Sequence, residues 1–205
     1  SMTINLDITG LKNKIEIIEG DTFNKESLKE ALKDIDVAYY LIHSLSNDNY
    51  KDLDKISAQN FLDIANLCGV KKIIYLGGLG VKDKNTSEHL LSRIETGEIL
   101  SSNKNVQTIW FRAGVIIGSG SASFEIIRNL TEKLPIMTTP KWVNTLAQPI
   151  CIKDVLTYLK EAIKLETKED LIVDIGSKAL THKDMMMGTA NALGLKRVRI
   201  PLPFM

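Results

Sequence analysis

Residues 36–80 read DVAYYLIHSLSNDNYKDLDKISAQNFLDIANLCGVKKIIYLGGLG, and the fold turns on how this stretch is parsed. Asp36 to Ile42 (DVAYYLI) is a near-continuous apolar run, the mark of a strand buried on both faces. Tyr50 to Cys68 then carries Leu53, Ile56, Ala58, Phe61, Leu62, Ile64, Ala65 and Leu67 at helical spacing. Gly69 ends that helix as a residue able to take a left-handed conformation. Lys72 to Leu76 (KIIYL) is a second buried strand, and Gly77-Gly78-Leu79-Gly80 closes it.

The same alternation continues outward in both directions. Upstream, Lys14 to Glu19 (KIEIIE) predicts a strand ended by Gly20-Asp21, and Lys25 to Lys33 a helix with Ser27 as its cap. Downstream, Ser87 caps a helix running to Leu100, with Glu88 and Glu95 as solvated carboxylates along it. Val106 to Arg112 (VQTIWFR) is a third strand, followed by Val115 to Gly118. A Ser- and Gly-rich turn, Gly118 to Ser123, leads into a helix over Phe124 to Leu134. Pro135 to Pro149 is irregular, and a helix over Lys153 to Leu165 follows it. A strand over Leu171 to Ile175, a helix over His182 to Leu193 and an extended tail with Pro201 and Pro203 complete the pattern. Strand and helix alternate throughout, so the fold class is α/β, a parallel sheet with helices on both faces.

At 205 residues, 44% hydrophobic and 25% charged, the chain can bury the core of one domain. Its 26 basic and 25 acidic residues nearly cancel, and no basic stripe with interleaved aromatics supports a nucleic-acid partner. No apolar run reaches the roughly 20 residues needed to cross a bilayer, and the start carries no signal-peptide pattern, so no membrane partner is expected. Cys68 and Cys151 form no CxxC pair and sit in apolar stretches, which reads as buried thiols in a reducing compartment, the cytoplasm. The three histidines and two cysteines show no metal-ligand spacing, so no metal site is expected. Ser1-Met2 reads as the remnant of a cleaved tag and is left out of the fold reasoning.

Four runs together resemble the atypical, NmrA-like and epimerase-like branch of the short-chain dehydrogenase/reductases. Gly20 to Ser44 looks like the third strand, its Gly-Asp turn, a helix and the fourth strand of that family, and Ala65 to Gly80 like the next helix and the fifth strand. Phe111 to Leu130 (FRAGVIIGSGSASFEIIRNL) resembles the sixth strand and the turn beyond it, and Gln148 to Val155 (QPICIKDV) the segment returning beside the substrate cleft. The resemblance covers nearly the whole chain. It implies one Rossmann-like domain over residues 3–205, with a small substrate-side part around 135–152 and 176–205, and NAD(P) as cofactor. Its carry-over has Asp21 accepting from the adenine amino group, Leu41, Ile42, His43, Gly77 and Gly78 lining the nucleotide, and Ala113, Gly114 and Val115 approaching the nicotinamide. Independently of any family, these residues end strands at the carboxyl edge of an open parallel sheet, where ligands bind.

The resemblance also implies elements that are not found before Lys14: a strand, a Gly-x-x-Gly-x-x-Gly turn and helix, and a second strand. The glycines of that turn let backbone amides reach a pyrophosphate, and Gly10 and Gly20 cannot form it. The chain as given is therefore expected to hold NAD(P) poorly by itself. Three explanations compete: a fragment of a longer protein, omitted residues, or a third strand moved to pair directly with the fourth. A homodimer that completes the sheet is a further expectation.

Proton transfer in the wider family uses Tyr-x-x-x-Lys, one helical turn apart, with a Ser at the preceding strand end. The matching positions here are His89 and Arg93, with Gly77-Gly78 in place of the Ser. Read as chemistry, His89 is an alternative acid/base and Arg93 orients a phosphate or carboxylate, since a guanidinium does not deprotonate. Read as structure, His89 flanks a helix start and Arg93 lies on a solvated face. Trp142 and Gln148 are the substrate-side candidates, Trp142 doubling as a packing anchor under a long loop. The substrate, a small molecule, is not identified by any motif.

Overall fold

The computed structural model describes residues 15–43, 50–84, 86–134, 136–139, 141–167 and 169–201. Its centre is the strand–helix–strand unit read from residues 36–80. β1 (Val37–Tyr40) pairs in parallel with β2 (Lys72–Gly78), Val37 opposite Lys72, and α2 (Tyr50–Cys68) crosses between them after α1 (Lys25–Ala31). Gly69 takes φ +77° and turns the chain out of α2. β3 (Gln107–Ala113) extends the sheet beside β2 after α3 (Glu88–Leu100), and β8 (Leu171–Ile175) lies beyond β3. All four strands are parallel, in the order β1-β2-β3-β8.

Between β3 and β8 run β4 (Ile116–Ile117), α4 (Ala122–Lys133), β5 (Ile136–Thr139), a 3₁₀ turn over Lys141–Asn144, β6 (Leu146–Ala147), β7 (Ile150–Cys151) and α5 (Ile152–Lys164). After β8 come β9 (Leu180–Thr181), α6 (His182–Ala192) and β10 (Val198–Pro201). The stretch that the sequence pattern left irregular thus holds two short strands, β5 and β6, with β7 directly after it. Each finds its partner far along the chain: β5 with β10, β7 with β4, and β6 with β9.

Each face of the main sheet has its own core. On one, Ile73, Tyr75 and Trp110 pack with Phe61, Leu62 and Leu100 of α2 and α3. On the other, Ile74, Ile109 and Phe111 pack with Val155 and Ala162 of α5. Lys72 links the second face to α5 in another way. The residue is only 8% exposed, and its ammonium donates to the carbonyls of Ala162, Ile163 and Leu165 at 3.0, 3.0 and 2.7 Å, closing the helix C-terminus.

Five expectations change, the first being Cys151, read as a buried thiol and found exposed. Residues 15–20 form no strand and are exposed, so among the described residues the segment does not pair with β1. A strand needs a ladder partner for its N–H and C=O groups, and alternating isoleucines do not supply one. Among the described residues β1 is the outermost strand of its sheet, and its Tyr39 is 39% exposed instead of buried. The cap of α1 is Asn24, whose side-chain oxygen accepts from the Glu26 and Ser27 amides, while Ser27 folds back onto the Asp21 carbonyl. Glu95 is also less solvated than expected, since it reaches Lys55 at 3.1 Å with its side chain 18% exposed.

Candidate functional site

In a parallel sheet each helix that follows a strand starts near that strand's carboxyl end. Here the first turns of α3, α4 and α6 all border one cleft of about 1130 Å³ beyond the ends of β2 and β3. Ser87, Ser121 and Thr181 cap these helices, accepting from the amides of Leu90, Phe124 and Asp184. The Leu79 amide donates to the Ala113 carbonyl at 2.8 Å and ties the two strand ends together. A strap over residues 145–150 forms the far wall. It is held by the Ile150 amide on the Val115 carbonyl (2.9 Å) and the Ser177 amide on the Pro149 carbonyl (2.8 Å).

The cleft gathers Gly77 and Gly78 at the end of β2, His89 and Arg93 on α3, and Ala113, Gly114 and Val115 after β3. Gln148 joins them from the strap. Four expected positions do not line it. Asp21 spends a carboxylate oxygen on the Phe23 amide at 2.9 Å, an Asx turn ahead of α1. Leu41 and Ile42 are exposed just beyond β1, and so is His43. Trp142 belongs to the 3₁₀ turn, and its side chain lies outside the described residues.

The cleft also holds residues that the sequence reading passed over, among them Ser121, Ser123, Thr145 and His182. The signal available for them was the capping pattern, because a capped helix start after a strand falls at the ligand end of the sheet. His182 Nδ1 and its backbone amide both meet the Thr145 carbonyl, at 3.1 and 3.3 Å, so α6 and the strap share an anchor.

The glycines have packing uses that the sequence did not reveal. A Cβ on Gly77 would stand 2.6 Å from Trp110 Nε1, and one on Gly78 would stand 2.7 Å from Leu90 Cδ1. The double glycine therefore lets the indole and α3 close onto β2, and its space is already filled. Among the described residues no loop of free amides forms a pyrophosphate cradle. The described residues do form an open cleft at the strand ends, bordered by Gly77 and by Ala113 to Val115.

Arg93 Nε donates to His89 Nε2 at 3.3 Å. A guanidinium can only donate, so Nε2 is the acceptor and the neutral ring carries its proton on Nδ1. Burial lowers the His89 pKa, the Arg93 charge lowers it further, and Asp54 partly opposes both. His43 is lowered by burial, then by Arg93, with Asp54 again opposing and His89 adding to the depression. An NMR titration is expected to show both rings gaining their protons below the ordinary imidazole value of 6.5. The unfolded chain holds those protons more tightly, so stability is lost as the pH falls through this range. A midpoint above 6.5 for either ring would contradict the geometry.

A family model described as NAD(P)H-binding matches residues 7–110 of the 205. No protein of curated function matches the sequence. In fold the chain is similar to a UDP-N-acetylglucosamine 4-epimerase from Bacillus cereus, at 18% identity and TM-score 0.74, over 89% of this chain and 71% of that one. It is similar also to a UDP-glucose 4-epimerase from Thermus thermophilus solved with NAD, at 15% identity and TM-score 0.70, over 94% and 74%. A dTDP-glucose 4,6-dehydratase from Streptomyces venezuelae, solved with NAD, aligns at 11% identity and TM-score 0.74, over 96% and 70%. The family match spans just over half of the chain, so this protein belongs to the NAD(P)H-binding family, and its parallel sheet has the Rossmann-like fold of the epimerases and dehydratase above.

Proposed function

We propose that the protein is an NAD(P)-linked oxidoreductase of the nucleotide-sugar epimerase-like type, with His89 as its acid/base group and Arg93 as its orienting charge. The observation that carries this reading is the His89–Arg93 hydrogen bond at the lip of the strand-end cleft. Ala113, Gly114 and Val115 would border the nicotinamide, with Gly77 and Gly78 beside it, and Asp21 and Leu41 to His43 would serve the adenosine end. The cofactor, when bound, supplies or takes a hydride. This chain's residues orient the substrate and move its proton. Nδ1–H of His89 donates to a substrate oxygen in the neutral ring, and Nε2 accepts a proton once Arg93 turns away from it.

Replacing His89 with Phe tests the assignment. Turnover, followed as NADPH oxidation against a panel of carbonyl compounds and nucleotide sugars, is expected to fall about a hundredfold or more, the usual contribution of a positioned acid/base group. Unchanged turnover removes His89 from the chemistry. A second reading, a cofactor-sensing or partner-binding relative without catalysis, draws on Gly77-Gly78, where Trp110 and Leu90 fill the space of the family's serine. That reading requires saturable NADPH binding with no turnover of any compound in the panel. Loss of a fluorescence response to NADPH altogether would count against both. No helix among the described residues is long and apolar enough to cross a membrane, and both cysteines are free thiols; we place the protein in the cytoplasm on that basis.

A further inference from the structure

Two contacts fix how α3 lies against its neighbours. The Ser92 hydroxyl donates to Oδ2 of Asp54 on α2 at 2.8 Å, and the Tyr75 hydroxyl of β2 donates to the Arg93 carbonyl at 2.9 Å. Residues 92 and 93 stand about 100° apart around a helix, so α3 is gripped from two directions and its rotation is set. In that rotation His89 and Arg93, one turn apart, both reach the cleft.

Tyr75 is a core phenol whose hydroxyl has found a carbonyl. Asp54 is less ordinary. It is 7% exposed, a burial that carboxylates rarely take, and it lies behind the site without lining the cleft. Its charge nevertheless reaches both nearby imidazoles. Burial and then Arg93 disfavour a second proton on His89, and Asp54 acts the other way; at His43 the order is the same, with His89 adding to the depression.

The other charges around His89 are paired with one another. Lys51 and Lys55 of α2 meet Glu88 and Glu95 of α3 at 2.7 and 3.1 Å, and Lys82, after β2, meets Glu98 at 3.2 Å. Burial pushes the phenols of Tyr40 on β1 and Tyr75 on β2 upward, so neither contributes a charge. His182 faces the cleft from α6, on its far side. Asp54 is thus the buried anion set behind His89, opposite in sign to Arg93 beside it.

We propose that Asp54 is a positioning residue for His89: α2 and Ser92 hold its carboxylate behind α3, and from there its negative charge steadies the imidazolium that forms when His89 takes a proton beside Arg93. Without that charge the neighbouring guanidinium would oppose the protonated ring alone. A charge held in a buried place acts through little water, so it is felt at a distance where a surface carboxylate would be screened. The inference rests on His89 as the acid/base group of the proposed reaction and adds the residue that tunes it.

The test is an NMR pH titration of the ¹⁵N-labelled chain, read at the imidazole nitrogens of His89 and His43. Asp54→Asn removes the charge and keeps an oxygen to accept from Ser92, and both midpoints are expected to fall by roughly half a pH unit or more. Ser92→Ala keeps the charge and removes the bond, so it should lower the urea midpoint of unfolding while moving the two rings much less. Asp54→Glu, which restores the charge, should bring His89 back toward the parent value. If Asp54→Asn does not fold, Asp54→Leu combined with Ser92→Ala removes acceptor and donor together and should show the same lowered midpoints. A His89 midpoint that stays at the parent value when the charge is removed, or that Ser92→Ala moves as far, overturns the proposal. Turnover is measured apart, on whichever compound of the NADPH panel reacts. The acid limb of kcat/KM should move to lower pH with the His89 midpoint, because the neutral ring is the working form. A limb that stays in place while the ring midpoint moves would take His89 out of the chemistry, yet leave the action of Asp54 on the ring standing.

Discussion

Replacing Gly114 with Ala is expected to lower stability by about 3 kcal/mol, at the upper end of what a single added methyl costs in a filled site. The new Cβ would fall well inside contact distance of the Gln148 carbonyl oxygen, and 2.9 Å from the carbon that bears it. Both obstacles are backbone, so no rotamer relieves them, and the strap must lift from the end of β3. Lifting it loosens the bond from the Ile150 amide to the Val115 carbonyl, and with it the wall that closes the cleft. Gly188→Ala is the control. Nothing lies within 4 Å of its Cβ position inside α6, so removing a helical glycine there should stabilise by about 0.5–1 kcal/mol. Urea unfolding of both variants decides the matter, and equal midpoints would mean that the strap adapts to Gly114→Ala at no cost.

Lys72→Met is the other large effect, with an expected loss of about 3 kcal/mol. Methionine keeps an apolar stem of similar length and removes the ammonium. The carbonyls of Ala162, Ile163 and Leu165 then lose the donor that meets them at the end of α5, where Lys72 as a residue is 8% exposed. Charge-assisted bonds to the last turn of a helix also complement its dipole, so the loss exceeds that of one neutral hydrogen bond. The unfolding transition should move to lower urea with an unchanged slope. A loss under about 0.5 kcal/mol would show that water takes over the three carbonyls.

The packing role of neither residue was legible in the sequence, and the reason is physical. Lys72 opens an apolar run, where a lysine reads as a strand-end charge, and its acceptors lie some 90 positions further on. Gly114 was legible as a glycine at a strand end, and the expectation for it was close approach of a nicotinamide. In the fold a backbone also makes a close approach to it, that of Gln148. The double glycine reads as nucleotide lining, and the structure adds its packing against Trp110 and Leu90. The spacing of His89 and Arg93 was legible because it needs only one turn of helix, and the structure places both side chains on the cleft. Asp21, Leu41, Ile42 and His43 read as part of the same nucleotide surface, yet they border no common cleft with the rest. The position that would join them lies beside β1, where no described strand stands.

Local order was therefore a matter of sequence alone. The period of α2, the cap at Ser87, the turn at Gly69 and the buried runs of β2 and β3 are each set within a dozen residues, by side-chain spacing and backbone preference. Tertiary structure decided what depends on a partner distant along the chain. It withheld strand structure from residues 15–20, whose alternation lacked a ladder to join. It also paired the short strands of residues 136–151 with β4, β9 and β10. It also brought Arg93 and His89 of α3 to the same cleft as Gln148 and His182, residues that no local spacing joins.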